Sequence, residues 1–171
     1  LKKEGLIRAY GVSVDWQQEL TTVLHHTRSQ AVEVMYNAFH QDVAASFDTA
    51  MEKGVGLIAK IPLDSGWLSG KYDANASFEG VRNRWSPEVI QRRAALVHEL
   101  KKLTREEESL TQLALRFCLA SPAISTIIPG VKNQAQLKEN ITASERPLDP
   151  ATLQAIKQLY ETHIKFEELP W

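Results

Sequence analysis

Residues 56–72 read GLIAKIPLDSGWLSGKY, and this stretch decides the fold class. Its first seven residues, 56–62, form a short apolar run that is too brief for a helix and ends at Pro62, which marks a strand. The chain is then irregular from 63 to 85 and rich in Gly, Ser, Asp and Asn. A loop of that length is usually functional or disordered. Three more short apolar runs lie at 7–14, 32–37 and 124–129, each bounded by turn residues. Amphipathic segments separate them. Residues 16–27 come after Asp15, an expected N-cap, with Leu20, Val23 and Leu24 on one face. Residues 42–53 carry Val43, Phe47, Ala50 and Met51 at helical spacing and close on Gly54. Ser86 and Pro87 are an N-cap and a first-turn proline for a helix through Leu103. Ser109 opens another through Leu119, Asn133 one through Ala143, and Asp149-Pro150 a last one ending near Thr162.

Apolar strands alternating with helices predict a parallel sheet covered by helices, an α/β fold. The first three strands start about two dozen residues apart, as in βα repeats. A small open sheet and a part of a (β/α)8 barrel both satisfy this pattern. A whole barrel needs eight strands, so four suggest half of one.

Composition sets the outer bounds. The chain has 171 residues, a net charge of -1, 24% charged and 43% hydrophobic residues. That balance fits one globular domain and gives no reason to expect nucleic acid or an acidic membrane surface as partner. No apolar stretch is long enough to span a bilayer. The opening LKKEGLIRAYGV lacks a signal-peptide apolar region and reads as mid-protein sequence. Cys118, the one cysteine, sits in the apolar run LALRFCLA and reads as a buried, inert thiol, compatible with a reducing cytoplasm. The histidines show no metal-ligand spacing, so no metal is expected. Glu106, Glu107 and Glu108 read as a solvated cluster. No phosphate-binding P-loop and no serine elbow occurs.

Two loops carry candidate chemistry. Ser65, Gly66, Ser69 and Gly70 allow backbone N–H groups close to a ligand, and Lys71 adds a mobile positive charge, which suits a pyrophosphate. A solvent loop with turn glycines gives the same composition. Trp67 is the one tryptophan within the motif and is placed to pack on a substrate or a base. In STIIPGVKNQAQLKENI, residues 125–141, Gly130 ends a strand, Lys132 comes next but one, and Asn133 starts a helix. A helix N-terminus beside a lysine attracts anions. Loops after the last two strands of a barrel often build its phosphate site.

Four segments in order, GLIRAYGVSV (5–14), VEVMYNAFHQ (32–41), GVGLIAKIPLDSGWLSGKY (54–72) and LTQLALRFCLASPAISTIIPGVKNQAQLKEN (110–140), resemble the aldo-keto reductase family. They look like the fifth to eighth strands of that barrel, which makes residues 1–171 a single domain, the C-terminal half, with the N-terminal catalytic half absent. The resemblance implies carbonyl reduction with NADPH bound at the C-terminal face. By it, Ser13 meets the nicotinamide carboxamide, and Glu33 stands where many members have Gln. Lys60 stands where others stack a tyrosine or carry a base. Pro62, Leu63, Ser65, Gly66, Leu68 and Lys71 match the pyrophosphate loop. Gly130 ends the last strand, and Lys132 matches a residue meeting the 2′-phosphate. Gln136 occupies a position often held by Arg, while Glu139 and Asn140 match adenine contacts. The family's catalytic Asp, Tyr, Lys and His lie on strands this chain lacks, so no catalytic residue is expected; Tyr10, Tyr36 and Tyr72 do not occupy the proton donor's motif. A half barrel has two open ladders and predicts self-association, pairing with a missing N-terminal half, or a partly molten state. Two non-enzymatic readings stand beside this one: a reductase-like binding or regulatory subunit, such as the potassium-channel β-subunits of this fold, and a degenerate half barrel binding no cofactor.

Overall fold

The computed structural model describes residues 1–80, 83–167 and 169–170. Four strands alternate with helices: β1 (Gly11–Val14), α1 (Gln17–His26), β2 (Ala31–Met35), α2 (Phe47–Glu52), β3 (Gly56–Lys60), α3 (Pro87–Lys101), α4 (Leu110–Leu119), β4 (Ile124–Ile127), α5 (Gln134–Thr142) and α6 (Pro150–His163). The strands pair in the order β1-β2-β3-β4, all parallel. Sheet order tracks chain order without reversal. A topological switch point, the ligand crevice of open doubly wound sheets, therefore does not arise in this sheet.

Period-two alternation decides what each face of the sheet meets. Val14, Val32, Val34, Leu57, Ala59 and Ile124 are buried and form one core. Against them pack Leu20 and Leu24 of α1, Phe47 and Ala50 of α2, Leu96, Val97 and Leu100 of α3, Leu113 and Phe117 of α4, and Ile156 and Tyr160 of α6. The opposite face carries Gly11, Ser13, Ala31, Glu33, Gly56 and Ile58 and stays partly or fully exposed. Cys118 is buried with its Sγ 3.4 Å from the Tyr36 carbonyl oxygen, and burial pushes its thiol far above the ordinary value. It is the inert core thiol that the sequence predicts. Among the described residues no helix is long and apolar enough to cross a membrane.

Most helix starts obey their caps. The side chains of Ser86, Ser109, Asn133 and Asp149 each accept a backbone N–H of the first turn they open. Four sequence expectations are corrected. Glu108, expected as part of a solvated cluster, has its side chain buried in an ion pair with Arg116. Trp16, not Asp15, holds the N-cap position of α1, because the Glu19 carboxylate takes the N–H groups of both Asp15 and Trp16, at 2.9 and 3.1 Å. The helix expected at 42–53 is split into a 3-10 turn, Asp42–Ser46, and α2, and Gly54 at φ 64° ends it. The strand expected at 7–14 enters the ladder only at Gly11, although Gln30 N–H still reaches the Tyr10 carbonyl at 2.9 Å.

Candidate functional site

The turn that leaves β3 has an unusual backbone. Ile61, Asp64 and Ser65 have φ of 54°, 46° and 55°, and Gly66 comes next at 100°. For L-residues the left-handed region costs about 1–3 kcal/mol each and persists only where the surroundings enforce it. A β-branched isoleucine is the least expected residue there. The enforcing contacts are specific. Asn37, fully buried after β2, donates through Nδ2 to the Ile61 carbonyl at 3.0 Å. Asp64 forms an ion pair with Arg93 of α3, both side chains wholly buried, and His40 Nε2 lies 3.5 Å from its other oxygen. Gly66 N–H and Leu68 N–H both reach the Leu63 carbonyl, at 2.8 and 3.1 Å, and the Ser69 hydroxyl donates to the Gly66 carbonyl at 2.7 Å. Beyond the turn, Trp67, Tyr72, Phe78 and Trp85 pack ring on ring with centroids 4.8–6.1 Å apart.

The turn that leaves β4 is built from ordinary capping. Asn133 Oδ1 accepts Gln136 N–H at 2.9 Å, and Gln136 Oε1 accepts Lys132 N–H at 2.8 Å. This aligns the first turn of α5, whose N-terminal end favours an anion.

Between the two turns lies a cleft of about 480 Å³. Pro62, Leu63, Ser65, Gly66 and Lys71 line it from the first turn, and Gly130, Lys132, Gln136, Glu139 and Asn140 from the second. Sequence reasoning thus brought ten residues to one place. Lys71 and Lys132 supply two positive charges there against the single carboxylate of Glu139. The Lys71 ammonium also lies over the Tyr72 ring, 4.7 Å from its centroid. A Cβ on Gly66 would come within 3.3 Å of Lys71 Cε and Tyr72 Cε2, so glycine leaves the space that the lysine uses.

Four expected residues lie outside the cleft lining. Ser13 and Glu33 are neighbours across the β1–β2 ladder on the exposed sheet face. Lys60, ending β3, donates to Ser13 Oγ at 2.8 Å and pairs with Asp15 Oδ1 at 2.7 Å. Those three make a second polar group at the carboxyl ends of the strands. Leu68 is corrected: its side chain is fully buried in the core and its N–H is taken by Leu63, so it offers the cleft nothing. Trp67 is corrected likewise, as a core member of the aromatic cluster rather than a ligand platform.

Ser69, expected in the first loop, also lines the cleft; sequence reasoning missed Asp15 as the ion partner of Lys60, and missed Ile61, Thr111, Ile128 and Val131 in the lining. Ile61, Ile128 and Val131 adjoin the named loop residues and were recoverable. Thr111, in the first turn of α4, had only the Ser109–Gln112 capping box to mark a helix start near the site. Burial pushes the Tyr36 hydroxyl far up, and Tyr72 belongs to the aromatic cluster. Among the described residues no group of three His, Cys, Asp or Glu could hold a metal ion.

Comparison with known proteins gives one consistent answer. The model of the aldo/keto reductase family matches residues 1–161. The chain is 28% identical over 171 residues to an aldo-keto reductase of Strobilurus tenacellus, covering 94% of this chain and 51% of that protein. A probable voltage-gated potassium channel subunit beta of Arabidopsis thaliana is 30% identical over 125 residues, which are 67% of this chain and 38% of that protein. Among solved structures, the holo form of an aldo-keto reductase from Bacillus halodurans superposes with a TM-score of 0.72 at 27% identity, covering 95% of this chain and 55% of that one. The chain spans about half the length, or less, of the curated relatives it matches.

Proposed function

The chain belongs to the aldo/keto reductase family, and on that premise we propose that it is the cofactor-binding half of an NADP(H)-dependent carbonyl reductase. In this reading residues 1–171 form one domain, half of a (β/α)8 barrel whose β1–β4 are the fifth to eighth strands. The observation that carries it is the convergence of two lysine-bearing turns on one cleft of about 480 Å³ at the carboxyl ends of β3 and β4. A volume of that order accommodates a ligand of nucleotide size.

The residues fit the group. The turn from Pro62 to Lys71 would hold the pyrophosphate, with Ser65 and the Lys71 ammonium facing it, while Gly66 keeps the space beside the lysine open. Lys132 and the N-terminus of α5 would take the adenosine 2′-phosphate. Gln136, spent on Lys132 N–H, adds no charge, so Lys132 alone supplies the cation for NADP over NAD. Glu139 and Asn140, adjacent on α5, are placed for the adenine. At the other end Ser13 accepts from Lys60, which leaves its hydroxyl proton free to donate to the carboxamide oxygen. Glu33 beside it accepts from the amide NH₂. A departure from Gln is tolerable because Ser13 supplies the donor that a carboxylate lacks.

The bound nicotinamide supplies a hydride. The family resemblance gives none of the described residues the role of proton donor to a reduced carbonyl, and a positioned acid contributes roughly 10²–10⁴-fold. Isolated, the chain is therefore expected to bind cofactor without turnover. The exposed sheet face and the two edge strands suit either an N-terminal half or a second copy, and the setting is a cytoplasmic one. Neither a nucleic acid nor a membrane is expected as partner.

Similarity to the plant channel subunit favours one second reading, a non-catalytic binding or regulatory half barrel. Titration of NADPH against tryptophan emission tests the cofactor assignment, since Trp67 packs on Tyr72 beside the Lys71 turn. Saturable quenching is expected; its absence up to millimolar cofactor removes the assignment. Adding a family N-terminal half and assaying aldehyde reduction then separates the two readings, with turnover expected for the first.

A further inference from the structure

Asp64 and Arg93 stand next to the cleft without lining it. Arg93 is a wholly buried cation that makes three contacts. It pairs with Asp64, donates through Nη2 to the Pro170 carbonyl at 2.6 Å, and lies over the Trp85 ring, 5.0 Å from its centroid. Burial pulls its guanidinium below the ordinary value, while Asp64 opposes that shift. A buried ion pair is a poor source of stability by itself, since desolvation consumes most of the attraction. Its location points to another role. Asp64 lies between Ile61 and Ser65, and all three have positive φ. Ser65 and Gly66 face the cleft only because the chain turns through that conformation.

We infer that Arg93 is a positioning residue for the phosphate turn: through Asp64 it holds Ile61, Asp64, Ser65 and Gly66 at positive φ and neutralises a carboxylate that would otherwise repel the bound anion. The inference rests on the cofactor reading above and adds to it a residue, 29 positions away from Asp64 in sequence, that never touches the ligand. Two effects act in the same direction. Releasing the turn lets Ser65 and Gly66 relax to unstrained backbone, away from the cleft. Removing the guanidinium alone leaves the Asp64 charge directly behind the pyrophosphate.

The test compares two probes, NADPH, which spans both turns, and adenosine 2′-monophosphate, which reaches only the Lys132 turn. The variants are Arg93→Lys and the charge-neutral double variant Arg93→Met with Asp64→Asn, Asn being the residue that best tolerates the left-handed region. Circular dichroism and thermal melting establish folding. The double variant is expected to lose about tenfold or more in NADPH affinity. Its affinity for the monophosphate should stay within about twofold, and Arg93→Lys should recover part of the NADPH loss. Unchanged NADPH affinity in the folded double variant overturns the inference, as does equal weakening for both probes, which marks a merely structural pair. Should the double variant not fold, the ratio of the two affinities in Arg93→Lys decides: a fall supports positioning and a constant ratio contradicts it. If the unaltered chain binds neither probe, the cofactor reading fails and takes this inference with it.

Discussion

The turn after β3 holds three L-residues at positive φ against a buried ion pair, a buried asparagine and an aromatic cluster, whereas the turn after β4 rests on two exposed side-chain contacts, of Asn133 and Gln136, and open space. Both face the same cleft, and both present a lysine to it. The first is held in shape before any ligand arrives. The second belongs to a helix, α5, none of whose residues is buried. Strain fixed by burial is a costly way to hold a turn, and it persists only where the surroundings enforce it. Helix capping is the cheaper device and leaves a surface that can adjust.

The contrast can be broken by mutation, beginning with the strained turn. Asp64→Ala strands the Arg93 guanidinium in the core, and a loss of roughly 3–5 kcal/mol in urea unfolding is expected. A loss below about 1 kcal/mol would mean that the pair is solvated or readily replaced. Gly66→Ala places a Cβ at φ 100°, 3.3 Å from both Lys71 and Tyr72. The expected cost is about 1–3 kcal/mol, with NADPH affinity falling in parallel by calorimetric titration. If stability falls and affinity does not, Gly66 is a structural glycine only.

The second turn should respond less and more locally. Asn133→Ala removes the acceptor for Gln136 N–H and costs about 1 kcal/mol. Because α5 buries no side chain, that loss should appear as faster hydrogen exchange at 134–142 with the global midpoint almost unmoved. Gly130→Ala is the smallest: its Cβ meets nothing within 4 Å and its φ is outside the left-handed range. A change within about 0.5 kcal/mol is expected. A large effect there would mean that the second turn is as constrained as the first.

The same contrast explains what the sequence reading could reach. Local chemistry was readable. Ser86, Ser109, Asn133 and Asp149 announce their helices, the β-branched and Leu-rich runs announce β2 to β4, and Lys132 beside Asn133 lines the cleft as expected of that loop. Features that depend on distant partners were not. Arg93 is one of two adjacent arginines in an amphipathic helix, and nothing nearby shows that it reaches back to Asp64. Ile61 precedes a proline and reads as plain strand, although Asn37 and the ion pair force it to φ 54°. Trp67 and Leu68 read as loop residues because the loop's own aromatic core forms only when residues 67 to 85 fold together. Asp15 reads as a cap because Glu19, four residues on, takes that role only in the folded helix.

Two turns gripping one ligand must report its arrival together, and nuclear magnetic resonance reads both at once. In a single NADPH titration, the backbone amides of Ser65 and Gly66 and those of Lys132 and Asn133 are expected to shift with one midpoint. Shifts confined to one turn, or two separate midpoints, would contradict a shared ligand.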